Sequence, residues 1–324
     1  MSSVVCTLFE GHYHYGVAVL TNSLYKKGFR GSVYAGYRGV LPFWTRTLEE
    51  MDGSVWSGSQ TFNIAEGLLL HFIPLDTSYH LTNYKPDFML RLLDGPAKEA
   101  EQIFYFDPDI VVASQWSFFH EWVECGVALC EDVNSPLDEF HPRRMAWRRH
   151  FGKSGITLKF KNSIYANGGF VGISAQNRSF LETWKSVQEA MAVKIGGLNR
   201  SSLKGSSLPE EIRGSFSAFG KTDQDALNAA VEAWQGQFSF VGKEGMAFKA
   251  GEALMPHALG HPKPWQRQPL LQAMAGIAPR LVDRAYWHHA NGLIRTHSFV
   301  AMQWHKLTIS LSALIGRFYR RNGI

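Results

Sequence analysis

The chain has 324 residues and a formal charge of +5, with 45% hydrophobic, 19% charged and 13% aromatic residues. Such a composition excludes a disordered chain, and the length allows one large domain or two modest ones. No Lys/Arg run is dense enough to form a nucleic-acid groove, and no segment approaches the ~18 uninterrupted apolar residues of a membrane span.

Cys6, Cys125 and Cys130 lie in apolar, strand-like surroundings without metal-ligand spacing, which predicts core packing in a reducing compartment. The opening MSSVVCTLFEG has no basic and apolar targeting pattern, so a cytoplasmic protein is expected.

Val4 to Leu8 reads as a short strand, followed by the turn-rich EGHYHYG. Val17, Leu20, Leu24 and Tyr25 then recur at helical spacing, with Gly28 where a helix would end and a second strand at Ser32–Ala35. Strand, loop, helix and strand in this order open an α/β sheet, with a ligand loop at the carboxyl end of the first strand. Leu68–Leu75 predicts another buried strand, and Lys85–Leu93 a helix with Pro86 in its first turn.

The rest of the chain is organised around Gln102–Val112, QIFYFDPDIVV. Apolar residues run into Asp107-Pro108-Asp109 and out again into Ile110–Val112, as a buried strand ending in paired carboxylates would. Carboxylates rarely bury alone, so the pair calls for a cation, a basic side chain or open water. Strand alternation points Asp107 and Asp109 to one side, and hard oxygen ligands at that spacing suit Mg²⁺ or Mn²⁺, especially an ion shared with a diphosphate. A solvated turn after a strand would read the same.

Gly126–Leu129 continues the alternation, and Asn162–Ser174 predicts a strand entered through the tight turn Asn167-Gly168-Gly169. The basic stretch His141–Lys153 reads as a solvated loop, with contact to an anionic acceptor as the other option. A helix is expected over Ser179–Ala192. Gly196–Gly220 lacks a period and predicts a long surface loop, a lid or a disordered insertion. Asp223–Trp234 resumes as a helix, whose first turn holds Asp223 and Gln224. Leu254–Trp265, LMPHALGHPKPW, combines a metal-competent His257, a flexible Gly260 and a point charge at Lys263 between two prolines.

The order of DPD at Asp107–Asp109, NGGFVGIS at Asn167–Ser174, DQDALN at Asp223–Asn228 and HALGHPKPW at His257–Trp265 resembles the retaining glycosyltransferases of the glycogenin and lipopolysaccharide galactosyltransferase group. The likeness covers about residues 3 to 265. It implies a GT-A type α/β fold, with a mostly parallel sheet flanked by helices. It implies that Asp107, Asp109 and His257 coordinate Mn²⁺ or Mg²⁺, that Lys263 neutralises the donor phosphates and that Gly260 lets the backbone pass close to them. Asn167 would bind donor sugar hydroxyls, Gly168 would leave room for the ring, and Asp223 and Gln224 would stand beside the anomeric carbon.

Thr7 would frame the nucleotide base at the first strand end, with Tyr13 or Tyr15 stacking on it. Lys85 matches the family's basic donor contact at a longer spacing than usual, which makes Arg91 a rival. The activity implied is transfer of a hexose from a nucleotide diphosphate sugar, a UDP-hexose, to a glycan or glycolipid with retention of configuration. The alternatives are a sugar-nucleotide nucleotidyltransferase and a non-catalytic binding protein of the same fold.

Residues 266–324 fall outside the resemblance and are expected to form a C-terminal extension. In Gln303–Arg321, Leu307, Leu311, Leu314, Ile315 and Phe318 recur at helical intervals, with Lys306, Arg317, Arg320 and Arg321 and no acid. Such a helix either docks on the catalytic domain or lies on an anionic bilayer surface.

Overall fold

A computed structural model describes residues 2–203, 208–214 and 216–319. In chain order the strands are β1 (Ser3–Glu10), β2 (Gly31–Arg38), β3 (Glu49–Met51), β4 (Gln60–Ala65), β5 (Leu68–Pro74), β6 (Gln102–Phe106), β7 (Val127–Cys130), β8 (Phe170–Ser174) and β9 (Phe238–Val241). They form one nine-stranded sheet, ordered β3-β4-β5-β2-β1-β6-β8-β7-β9. The centre β5-β2-β1-β6 is parallel, as is the β7–β9 pair, whereas β8 runs against β6 and β7, and β3 and β4 add an antiparallel edge.

Alternation along the central strands builds two cores, one on each face. Val4, Cys6 and Leu8 of β1 and Ile103 and Tyr105 of β6 face one; Val5 and Phe9, and Phe104 and Phe106, face the other. The first face is covered by α2 (Lys85–Leu93), α4 (Pro142–Lys153), α5 (Arg178–Ile195) and α6 (Thr222–Ala233), the second by α1 (His14–Lys26) and α3 (Trp116–Trp122). Helix α5 buries Phe180, Leu181, Trp184, Val187, Met191 and Ile195 at helical spacing and stops at Gly196, whose φ of 78° suits the left-handed cap. The crossover through α1 carries the chain from β1 to β2 on one side, while β6 pairs β1 on the other. The carboxyl ends of β1 and β6 therefore flank the point where the strand order diverges, the usual place for a ligand in such sheets.

β6 ends at the paired carboxylates, as expected, and beyond them Ile110 forms a single bridge with His257. The structure departs from the sequence expectations at three places. His141–Lys153 is a helix over most of its length rather than a solvated loop. Its Arg144 is buried and donates to the carbonyls of Leu137, Asn162 and Ile164 and to Glu232. The described parts of Gly196–Gly220 are packed down rather than loose, since Leu198, Leu208, Ile212 and Phe219 are buried and Asn83 Nδ2 donates to the carbonyls of Leu198 and Arg200. Residues 204–207 and 215 lie outside the described residues. Finally, Cys6 and Cys130 are core residues but Cys125 is exposed.

The C-terminal extension forms α7 (Pro269–Met274), α8 (Leu281–His289) and α9 (Phe299–Tyr319). Helix α8 packs on α1, where Val282, Tyr286, Trp287 and Ala290 share a core with Val19, Val111 and Ala258. Asn22 fastens the junction: its Nδ2 donates to the carbonyls of His289 and Ile294, and its Oδ1 accepts from the Ile294 N–H. Arg320 and Arg321 lie outside the described residues, and no helix of those described is long and apolar enough to cross a membrane.

Candidate active site

The site grows from the Asp107-Pro108-Asp109 turn at the end of β6. The Asp107 N–H donates to the Gly169 carbonyl at 2.7 Å, tying the turn to the start of β8. On its other side, Ala258 N–H donates to the Asp109 carbonyl at 3.1 Å and Val111 N–H to the Pro256 carbonyl at 3.0 Å. These bonds lay Met255–Ala258 alongside the turn and bring His257, distant in sequence, onto the carboxylates.

His257 Nε2 stands 3.2 Å from Asp109 Oδ1 and 3.9 Å from Asp107 Oδ2. One ligand atom from each of the three residues falls within 4.8 Å of the others. Two carboxylates and an imidazole at these separations fit a hard or borderline divalent ion. Asp109 and His257 are nearly buried, whereas the Asp107 side chain keeps 22% exposure and is where the cluster meets solvent.

Each carboxylate is held from behind. Asp107 Oδ1 accepts from the Tyr105 hydroxyl at 2.8 Å and lies 3.0 Å from Lys85 Nζ, which leaves Oδ2 on the His257 side. Lys263 Nζ donates to Asp109 Oδ2 at 2.5 Å and to the Ala258 carbonyl at 2.7 Å. Burial alone would raise the Asp109 carboxyl, but the charges of His257 and Lys263 and their hydrogen bonds outweigh it and hold the group well below the usual carboxylate range.

Lys85 is buried at 1% exposure and donates to the Gly168 carbonyl at 2.7 Å and to Asp223 Oδ2 at 3.3 Å, besides its contact with Asp107. Its three protons are thus engaged inside the protein. Lys85 thus clamps two carboxylates, whereas the rival Arg91 is elsewhere, bonded to the Tyr84 hydroxyl at 2.5 Å and stacked over Trp56. Desolvation opposes the Lys85 charge, but Asp107 and Asp223 overcome it and leave its pKa raised. Desolvation raises the Asp223 carboxyl, with Lys85 pulling against it.

Gln224 Oε1 accepts from the Gly168 N–H at 3.2 Å, while its buried Nε2 has no hydrogen-bond partner in the protein. A Cβ at Gly168 would lie 3.1 Å from Asp223 Oδ2, and one at Gly169 2.5 Å from the His257 ring, so the two glycines admit these side chains. Asn167 is turned inward. Its Nδ2 donates to Asp132 Oδ2 at 2.6 Å and its Oδ1 accepts from the Gly169 N–H at 2.8 Å, so it shapes the turn.

One more expectation changes, and one open choice narrows. Thr7 does not end β1, which continues to Glu10, and its side chain is fully buried within the sheet. Of the two tyrosines, Tyr13 belongs to the cluster: its ring lies 5.6 Å from Lys263 Nζ and stacks on His12. Tyr15 turns away and stacks on His297, next to α9. Trp265 Nε1 donates to His12 Nδ1 at 3.0 Å and so fixes that ring as an acceptor. Gly260, at a φ of 70°, has open space around it.

Three residues of the site escape the sequence reading. Gly16 lets α1 press on the turn, because a Cβ there would stand 2.0 Å from the Pro108 carbonyl oxygen. Tyr105 reads as core, although its place two residues before Asp107 on the same strand face was a usable signal. Asp132 follows β7 as Asp107 follows β6, and an acid at a strand mouth could have marked it.

Comparison with known proteins bears on this architecture. No protein-family model matches the sequence, and no curated protein does. Among solved structures, the bifunctional glycosyltransferase WbbM superposes with a TM-score of 0.51 at 11% identity over 94% of this chain and 52% of that one. An active-site mutant of LgtC gives 0.50 at 13% identity over 94% and 99%. GlyE of Streptococcus pneumoniae TIGR4 gives 0.49 at 15% over 95% and 64%. This chain thus spans about half the length of WbbM and under two thirds of that of GlyE. The fold is the GT-A type found in glycosyltransferases.

Proposed function

We propose that the protein is a glycosyltransferase that moves a hexose from a nucleotide diphosphate sugar, a UDP-sugar, to a glycan or glycolipid acceptor with retention of configuration. The observation that carries this reading is the convergence of Asp107, Asp109 and His257 on one point, with Lys263 and Tyr13 beside it, at the carboxyl end of the central parallel strands. Asp107, Asp109 and His257 would hold Mn²⁺ or Mg²⁺, which when bound offsets charge on a departing diphosphate. Lys263 would turn from Asp109 to a phosphate oxygen. The face of Tyr13 suits a uracil ring.

On the opposite wall, Lys85 fixes Asp107 against Asp223 and so sets the distance between the metal ligands and the carboxylate assigned to the sugar. Asp223 would stabilise positive charge as the glycosidic bond loosens, and Gln224 Nε2, which has no partner in the protein, would offer its N–H groups to a sugar hydroxyl. The acceptor is assigned to a membrane setting, with peripheral contact through α9.

A nucleotidyltransferase is less well supported, because it would want a Gly-rich basic loop after β1, where this chain places the aromatic turn Gly11–Tyr13. A scaffold of the same fold would need no such set of ligands. Release of UDP from UDP-glucose and UDP-galactose with Mn²⁺ and no acceptor tests the reading. Slow hydrolysis that falls at least ~100-fold in Asp223→Asn supports it; absence of hydrolysis with every UDP-sugar tried, or full activity of the variant, contradicts it.

A further inference from the structure

The C-terminal extension reaches the loop that carries Tyr13. That loop, Gly11–Tyr13 running into α1, sets Tyr13 beside Lys263 and Gly16 against the Pro108 carbonyl. Its four rings in a row, His12 to Tyr15, are all half-buried. A short turn of half-buried rings holds one geometry only if other segments fix it, because ordering each side chain costs entropy.

Two segments do so. On one side, Trp265 Nε1 donates to His12 Nδ1 at 3.0 Å, and the Trp265 ring meets Tyr13 edge-on at 5.8 Å. On the other, Tyr15 stacks on His297 with centroids 5.1 Å apart and planes 11° from parallel. Burial holds His297 near 4, so its ring is neutral at pH 7 and stacks without a charge to solvate. Its backbone is pinned as well: Asn291 Nδ2 donates to the His297 carbonyl at 2.9 Å, and the His297 N–H donates to Asn291 Oδ1 at 3.3 Å.

Tyr286 of α8 joins the two sides. Its ring lies 5.4 Å from that of Trp265, its hydroxyl shares a hydrogen bond of 3.0 Å with His297 Nε2, and it is 1% exposed. His12 is thus tied through Trp265, and Tyr15 through His297, to one buried side chain of the extension. Tyr13 lies between the two ties.

We propose that Tyr286 and His297 are positioning residues of the nucleotide site, so that the segment 281–297 completes the donor wall by fixing the loop on which Tyr13 stands. The inference rests on Tyr13 as the ring that meets the base in the proposed function. The metal-ligand cluster is held separately, by the bonds of the Asp107–Asp109 turn to Gly169, Pro256 and Ala258. Loosening the loop therefore weakens nucleotide binding and leaves the metal ligands in place.

Calorimetric titration of UDP in the presence of Mn²⁺, with urea unfolding of each variant, tests this. His297→Ala removes both the stack and the bond to Tyr286 and should weaken UDP binding by roughly ten-fold, with Mn²⁺ affinity in the absence of UDP unchanged. His297→Phe keeps a ring against Tyr15 and should stay within about three-fold of the wild type, as should Tyr286→Phe, since each removes only the shared hydrogen bond. Tyr15→Leu takes the other ring of the stack and should weaken UDP binding by about five-fold, which carries the test if His297→Ala does not fold. Val282→Ala thins the same core without touching either tie and should lower stability while UDP binding stays as in the wild type.

Unchanged UDP affinity in His297→Ala or in Tyr15→Leu would overturn the proposal. So would an equal loss in Val282→Ala, which would mean general loosening, or a loss in His297→Phe as large as in His297→Ala, which would mean that the stack does not hold the loop. Absence of UDP binding by the wild type with Mn²⁺ would refute the donor site itself and this inference with it, so the two failures are told apart by the wild type alone.

Discussion

Gly16→Ala sets two effects of opposite sign against each other. Alanine in a helix interior is favoured over glycine by about 1 kcal/mol, and Gly16 lies within α1 with ordinary helical geometry. Its added Cβ would stand 2.0 Å from the Pro108 oxygen and 2.8 Å from the Pro108 carbonyl carbon, inside the 3.0 Å that real Cβ atoms respect. The obstacle is backbone, so α1 or the Asp107–Asp109 turn must move by about 1 Å, and overpacking of that kind costs ~1–3 kcal/mol. The clash outweighs the propensity gain, and the turn that yields is the one presenting the carboxylates proposed to hold the metal. We expect a net loss of about 1–2 kcal/mol in urea unfolding, together with a ~10–100-fold loss of Mn²⁺ affinity, as when a support of a metal ligand is removed. Gly152→Ala in α4, where a Cβ meets nothing within 4 Å, is the control and should be neutral or slightly stabilising. If Gly16→Ala instead gains stability and binds Mn²⁺ as the wild type does, the close approach of α1 to the turn is wrong.

Asp225 is fully buried, and desolvation pushes its carboxyl up to about 7 although Arg143, the Lys221 N–H and the Tyr165 hydroxyl favour the charged form. A carboxyl whose folded pKa exceeds its unfolded value near 4 binds its proton better in the native state, so it costs stability as pH rises from about 4 to about 7. Asp225→Asn should therefore match the wild type near pH 4 and exceed it by about 2–4 kcal/mol at pH 8; parallel unfolding curves across that range would contradict the assignment. Arg144→Met should destabilise by ~3–5 kcal/mol, because Glu232 stays buried with only Arg148 at 3.4 Å and three carbonyls lose a donor. A cost below ~1 kcal/mol in denaturant titration would mean that the ion pair is not closed. His14, His71, His289 and His297 are held near 4, mainly by burial. A histidine with a lowered folded pKa gives stability that is present above about 6.5 and lost as pH falls toward 4. Thermal scans should show that acid-side decline, reduced in His71→Asn.

What the sequence made legible followed from local rules. Lys85–Leu93 was readable to the residue because Pro86 marks a first turn, and β6 because four apolar residues end at a charged turn. Asp107, Asp109, His257 and Lys263 were named by the pattern of their types, and the structure brings all four together. What was illegible depended on contacts distant in the chain. The partner of Asn167 is Asp132, 35 residues away, and that of Arg144 is Glu232, 88 away. No spacing rule links such pairs. Thr7 was misplaced because its role came from the resemblance alone, and β1 runs on through Phe9 to Glu10. Gly16 looked like any helix glycine, since the reason for it belongs to another segment. Helix α9 was visible as amphipathic, but only the packing against α8 decides which side faces out.

Calorimetric titration of UDP into the protein, with and without Mn²⁺, probes the donor site most directly when the wild type is set beside Asp109→Asn, which keeps the side-chain shape and removes the charge. UDP binding is predicted to require the metal in the wild type and to be lost in the variant. Binding that ignores the metal, or that persists unchanged in Asp109→Asn, would contradict the assignment of Asp107, Asp109 and His257 as the centre of a nucleotide-sugar site.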